Sequence, residues 1–120
     1  MNTSPEPLPE LPALRIALVG AGRVARALVI ALDRAGLPVV AVGSRQPERL
    51  SAAAYPQPCT PQQAVDQADL VLLTVADDAI APVAAALRWR AGQAVVHCSG
   101  ATEVAALDPA ARAGAHTGGF

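Results

Sequence analysis

Apolar residues along this chain come in two spacings, short unbroken runs and longer stretches at helical period. Leu14-Arg15-Ile16-Ala17-Leu18-Val19 is nearly solid and stops at Gly20, which predicts a strand buried on both faces. From Arg23 to Ala35 the apolar positions Val24, Leu28 and Ala31, with Ala27 and Leu32 beside them, follow helical spacing. Arg23, Arg26, Asp33 and Arg34 supply the polar side. Gly36 stands where a helix ends and Pro38 blocks its continuation. Val39 to Val42 is rich in β-branched residues and closes on Gly43, a second buried strand. Strand, helix and strand in about thirty residues make a right-handed crossover unit.

The pattern then repeats more loosely. Pro47 to Ala54 predicts a short helix, and Tyr55 to Cys59 a brief edge strand, because its prolines cannot serve a central ladder. Thr60-Pro61-Gln62-Gln63 carries the signals of a capped helix start. Asp69 to Val75 predicts a strand, and Asp77 or Asp78 is placed to cap a helix reaching about Arg88. Ala94 to Cys98 is a further strand, followed by a helix from near Thr102. Ala115 to Phe120 opens one more strand. The alternation specifies an α/β domain of three α/β/α layers around a mostly parallel sheet, ordered 3-2-1-4-5 with a sixth strand beyond. Residues 13–120 form this domain. Residues 1–12, with Pro5, Pro7, Pro9, Pro12, Glu6 and Glu10, read as a flexible arm.

Composition narrows the functional classes. The 120 residues suit one domain, with 28 alanines, no lysine and a net charge of −1. That balance gives no field for a polyanion, and Trp89, Tyr55 and Phe120 are too few for base stacking, so nucleic-acid binding is not expected. The apolar stretch Leu70–Leu87 is broken by Asp77 and Asp78 and cannot span a bilayer; a cytoplasmic location is the expectation. Cys59 and Cys98 suggest neither a disulfide framework nor a metal site.

Gly20-Ala21-Gly22-Arg23-Val24-Ala25 fits the G-x-G-x-x-G/A fingerprint between a strand and a helix. Gly20 would make the tight turn, Gly22 would let backbone approach a pyrophosphate, and Ala25 would hold the helix near the sheet. Free amides and the helix dipole would then face two phosphates. A purely structural turn and an S-adenosylmethionine-binding fold are the other readings of the same pattern. Some twenty residues on, where a carboxylate would accept hydrogen bonds from an NAD ribose, the chain has Gly43-Ser44-Arg45. A hydroxyl and a guanidinium suit a 2′-phosphate, which favours NADP over NAD. The bland reading is a solvated loop.

Val75, Ala76 and Asp77 follow the fourth strand at the edge where ligands bind in such folds, and Ser99 and Gly100 follow the fifth. The acids read first as helix caps. His97 carries the side chain of a general acid/base, yet strand alternation aims it into the core and marks it as structural. His116-Thr117-Gly118-Gly119 falls near the presumed cleft with its role open.

Taken together, Val19-Gly20-Ala21-Gly22-Arg23-Val24, Gly43-Ser44-Arg45, Leu73-Thr74-Val75-Ala76-Asp77-Asp78-Ala79-Ile80 and His97-Cys98-Ser99-Gly100-Ala101 resemble a Rossmann-like NADP oxidoreductase family of bacterial proteins. That family is related to pyrroline-5-carboxylate reductase, deazaflavin-dependent NADP reductases and β-hydroxyacid dehydrogenases, and the resemblance covers residues 14–120. It implies NADP(H) held by residues 20–24 and 44–45, with nicotinamide near residues 75–77 and 99–100. It also implies hydride transfer to a small-molecule or deazaflavin acceptor, or else a non-catalytic NADP(H) sensor. Family members carry a second, mostly helical domain that completes the substrate pocket and makes a homodimer. This chain stops short of it, so the isolated segment is expected to be inactive. The absence of lysine excludes the hydroxyacid dehydrogenases' catalytic lysine from these residues.

Overall fold

The computed structural model describes residues 13–120; the predicted N-terminal arm lies outside the described residues. Six strands, β1 (Ile16–Val19), β2 (Val39–Gly43), β3 (Pro58–Cys59), β4 (Leu70–Leu73), β5 (Ala94–His97) and β6 (His116–Gly119), form one sheet in the order β3-β2-β1-β4-β5-β6. Every pairing is parallel, so the sheet is wholly rather than mostly parallel. Parallel neighbours require crossovers, and α1 (Arg23–Arg34), α2 (Pro61–Gln67), α3 (Ile80–Ala86) and α4 (Asp108–Arg112) lie on them.

Alternation along the central strand divides the core in two. Ala17 and Val19 point to one face with Ala41, Val71, Leu73 and Val95, where α2, α3 and α4 bring Ala64, Val65, Ala68, Ile80, Ala84 and Ala110. Ile16 and Leu18 point to the other with Val39, Val42 and Leu72, covered by α1. The many alanines serve this closeness, since a small side chain brings a helix backbone near the sheet.

Four of the predicted helices depart from expectation. Helix α1 is turned from its predicted face: Ala25, Leu28, Val29 and Leu32 pack inward, whereas Ala27 and Ala31 are exposed and Val24 is 51% exposed. The inward set has i, i+3, i+4, i+7 spacing fixed by Ala25, which the glycine turn presses against the sheet. The predicted helix over 47–54 shrinks to a 3₁₀ turn at Pro47–Arg49, because Ser51 Oγ accepts the Ala53 amide and breaks the pattern. Asp77 and Asp78 make no cap hydrogen bond; they sit inside a 3₁₀ turn (Asp77–Ala79) leading into α3. That helix stops at Ala86, where the Trp89 indole donates to the Ala84 carbonyl and Gln62 holds both the amide and the carbonyl of Arg88. The last helix starts later than Thr102, as a 3₁₀ turn (Val104–Leu107) and then α4, because Thr102 is bonded to Ser99 instead of capping.

Elsewhere the local signals hold. Thr60 and Gln63 form the reciprocal capping box of α2, with Pro61 in its first turn. The far end of α2 is closed by Gln93, 2% exposed, whose amide donates to the Val65 and Ala68 carbonyls, and by the Arg90 guanidinium on Ala68.

Candidate functional site

The strand registers align Gly43, Val19, Leu73, His97 and Gly119 in a row across the sheet. This row is the carboxyl edge of a parallel sheet, and the loops leaving it build the site. The first is the glycine turn. Gly20 has φ +108° and donates its amide to the Gly43 carbonyl at 2.9 Å. The Thr74 hydroxyl donates to the Val19 carbonyl at 3.1 Å and the Gly20 carbonyl at 2.8 Å. A Cβ on Gly20 would lie 2.7 Å from the Thr74 carbonyl oxygen. Glycine is therefore required twice over, by conformation and by space. Thr74 is the residue that sequence reasoning missed here; a polar residue ending an apolar strand was its only signal.

Gly22 is the N-cap of α1 and has no side chain to close the first turn. A Cβ there would meet nothing within 4 Å, so the turn opens onto free space. The first amides of any helix lack internal partners. In α2 the capping box supplies them; in α1 no side chain does. Tyr55 covers the turn from the side, its hydroxyl donating to the Ala21 carbonyl at 3.4 Å.

The second loop follows β2. Gly43 is packed by α2: a Cβ there would be 2.8 Å from Pro61 Cα and 3.0 Å from Ala64 Cβ. Ser44 Oγ accepts the Gln46 amide at 3.2 Å, while Arg45 is exposed. Arg49 comes round the 3₁₀ turn, and its guanidinium donates to Gln46 Oε1 at 3.0 Å.

Between these loops and the start of α3 runs a cleft of about 720 Å³. It brings together Gly20, Ala21 and Gly22 with Ser44, Arg45, Val75 and Ala76, and adds Gln46, Arg49, Asp78 and Pro82. Sharing Gly22, Val75 and Ala76 with it is a smaller hollow of about 280 Å³, lined also by Arg23, Val24, Asp77 and Cys98.

The profile of the Rossmann-like domain family matches residues 4–117 of this sequence. The chain belongs to that family. Among solved structures, a D-lactate dehydrogenase from Treponema pallidum is similar to 90% of the chain of this Rossmann-like domain, with a TM-score of 0.57 and 19% identity. The domain spans 36% of that protein. Comparison with curated proteins finds no match.

The rest of the edge of this Rossmann-like domain is less open than the sequence suggests. Ser99 and Gly100 line neither the cleft nor the hollow. Ser99 is buried, its hydroxyl donating to Thr102 Oγ1 at 2.9 Å and its amide to His97 Nδ1 at 3.2 Å. Cys98, between them, is the residue that reaches the hollow. His97 is 1% exposed, as alternation predicts, and its Nε2 has no hydrogen-bond partner among the described residues. Its ring lies about 3.1 Å from where a Cβ of Gly119 would stand. His116 corrects the expected placement near the cleft: it begins β6 and pairs with Ala94, at the amino ends of the strands, away from the site.

Burial raises the thiols of both Cys59 and Cys98 above the ordinary cysteine range, and both are free. Among the described residues no group of three or more His, Cys, Asp or Glu could hold a metal ion, and no helix is long and apolar enough to cross a membrane.

Proposed function

We propose that this Rossmann-like domain binds NADP(H) and serves an oxidoreductase that moves a hydride between nicotinamide and a small-molecule or deazaflavin acceptor. The observation that carries the reading is the pairing of an uncapped helix start with a cationic wall across one 720 Å³ cleft. A diphosphate fits the first, where the Gly22 backbone is bare and the amides of the first α1 turn are open. A phosphate monoester fits the second, where Ser44 and Arg45 offer a hydroxyl and a guanidinium.

In this reading Gly20, Ala21, Gly22, Arg23 and Val24 hold the diphosphate, and Ser44 and Arg45 hold the 2′-phosphate. Val75, Ala76 and Asp77 border the nicotinamide ribose. When bound, the nicotinamide supplies the hydride chemistry. The chain's own contribution is to fix the turn through Thr74 and to exclude bulk from Gly22. Ser99 and Gly100 contribute by shaping the loop behind Cys98, since the Ser99 hydroxyl is already engaged by Thr102.

Titration calorimetry with NADPH and NADH tests this directly. NADPH binds more tightly, and Arg45→Ala weakens NADPH by about 1.5–3 kcal/mol while leaving NADH nearly unchanged. Equal affinity of the wild-type domain for the two would remove the Ser44–Arg45 argument; no binding of either would remove the reading itself.

A further inference from the structure

We infer that an apolar groove at the amino edge of the sheet, between α1 and the starts of β2 and β3, is the docking site of this chain's own residues 5–12. The inference is independent of the NADP(H) reading, because the groove shares no residue with the cleft or the hollow.

The groove encloses about 260 Å³. Val29 and Ile30 of α1 form one wall, Pro38 and Val39 the floor, and Pro56 the other wall. Ile30 is a large apolar side chain left 45% exposed. The place where the chain enters the sheet fixes the occupant. Ile16 opens β1 and pairs with Val39, so the chain ahead of it leaves the sheet beside the groove. Leu14 packs in the core with Leu28 and Leu32 of α1, which puts the entry on the same face. Residues 1–12, outside the described residues, come immediately before this point.

The segment has the reach and the chemistry. Pro5, Pro7, Pro9 and Pro12 favour the polyproline II conformation, which needs no partner strand. At about 3.1 Å per residue, the stretch from Leu11 to Ile16 spans roughly 15 Å, against about 4.8 Å between neighbouring strands. The three-residue period of that conformation puts Pro5, Leu8 and Leu11 along one edge, an apolar ridge to set against the groove. Glu6 and Glu10 fall on the other two edges, and the segment has no arginine. Arg34, exposed in the last turn of α1, supplies the opposite charge at the rim. Asp33 also lines the groove and repels a carboxylate, which turns Glu10 to the Arg34 side. A second copy's segment has the same chemistry, but the tethered one acts at an effective concentration on the order of millimolar and prevails in dilute solution.

Digestion of the full chain with glutamyl endopeptidase tests this. Pro7 closes the Glu6 bond to such a protease, which leaves Glu10–Leu11 as the cleavable site of the segment. Glu103–Val104, exposed on the folded domain, is the internal standard. A variant that only loosens the fold speeds both sites. Docking hides Glu10–Leu11, and its cleavage follows the undocked population. Ile30→Ser is therefore expected to speed it roughly fivefold relative to the standard, as for losing part of one isoleucine's burial. Arg34→Glu speeds it as well, Arg34→Lys does not, and Ala27→Ser, exposed on the same helix outside the groove, keeps the wild-type ratio. An unchanged ratio in Ile30→Ser overturns the inference, and an unchanged ratio in Arg34→Glu overturns the placing of Glu10. Protection that falls on dilution moves the segment to a second copy and overturns docking within one chain. Amide chemical shifts give a second measurement. Leu8→Ser/Leu11→Ser should move Val29, Ile30, Arg34 and Val39 while Gly22 and Ser44 stay in place; a spectrum in which the groove residues do not move overturns the inference.

Discussion

Replacing Gly20 by alanine sets a methyl group 2.7 Å from the Thr74 carbonyl oxygen and 2.8 Å from its carbon. Both are backbone atoms of the strand-to-helix link after β4, held by the Thr74 amide on Val19, so neither can yield without disturbing the central pair of strands. The φ of +108° adds strain on the order of 1–3 kcal/mol for any residue with a Cβ, and the overlap adds a similar amount. A total of about 4 kcal/mol is a large share of the ~5–15 kcal/mol that holds a domain folded. At roughly 4 °C or more per kcal/mol, the thermal midpoint falls by about 15 °C or more. Gly22→Ala, two residues away, behaves differently. Its backbone is extended, φ −106° and ψ −157°, and its methyl meets nothing. The weaker N-cap preference of alanine and the stiffer unfolded chain offset one another to within about 1 kcal/mol. The new methyl instead occupies the space a diphosphate would fill, and NADPH affinity falls by roughly tenfold or more. Circular-dichroism melts paired with calorimetric titration separate the two effects. A Gly20→Ala domain melting within a few degrees of wild type would refute the packing argument, and a Gly22→Ala domain with undiminished affinity would refute the assignment of that space to ligand.

Two further predictions concern stability. Gln93→Leu keeps the volume but strands the Arg90 amide and removes two donors from the end of α2, so urea denaturation should show a loss of about 2 kcal/mol. The raised thiols of Cys59 and Cys98 give stability that is intact below the ordinary thiol range, because the unfolded chain loses these protons first as pH rises. Stability should fall as the solution becomes more alkaline, and Cys59→Ala/Cys98→Ala should lose less than wild type in urea midpoints taken on either side of about pH 9; parallel pH profiles would show that the thiols contribute nothing.

Much of the fold was legible because its signals are local. The run Ile16–Val19 closing on Gly20, the Thr60–Gln63 box and the β-branched β2 each state their element within a few residues, and their alternation dictates the sheet order. The face of α1 was not legible by period alone: in a helix carrying Ala25, Ala27 and Ala31, two neighbouring stripes score alike, and only contact of Ala25 with the sheet chooses between them. The late start of α4 was hidden for a related reason, since Thr102 has the chemistry of a cap but finds Ser99 first. At the site, the glycine turn and Ser44–Arg45 declare themselves by motif. Thr74, Gln46, Arg49 and Cys98 do not, because what qualifies them is position after folding, and they come to the cleft or its adjoining hollow from three different loops of the carboxyl edge.

The bare first turn of α1 has a thermodynamic corollary. A helix completed by a solute ties occupancy to folding through mass action, so the domain's melting point becomes a gauge of what surrounds it. Saturation at a hundred times the dissociation constant raises the unfolding free energy by about 2.7 kcal/mol. A calorimetric scan across nucleotides would then rank them by affinity, even with the reaction itself unknown.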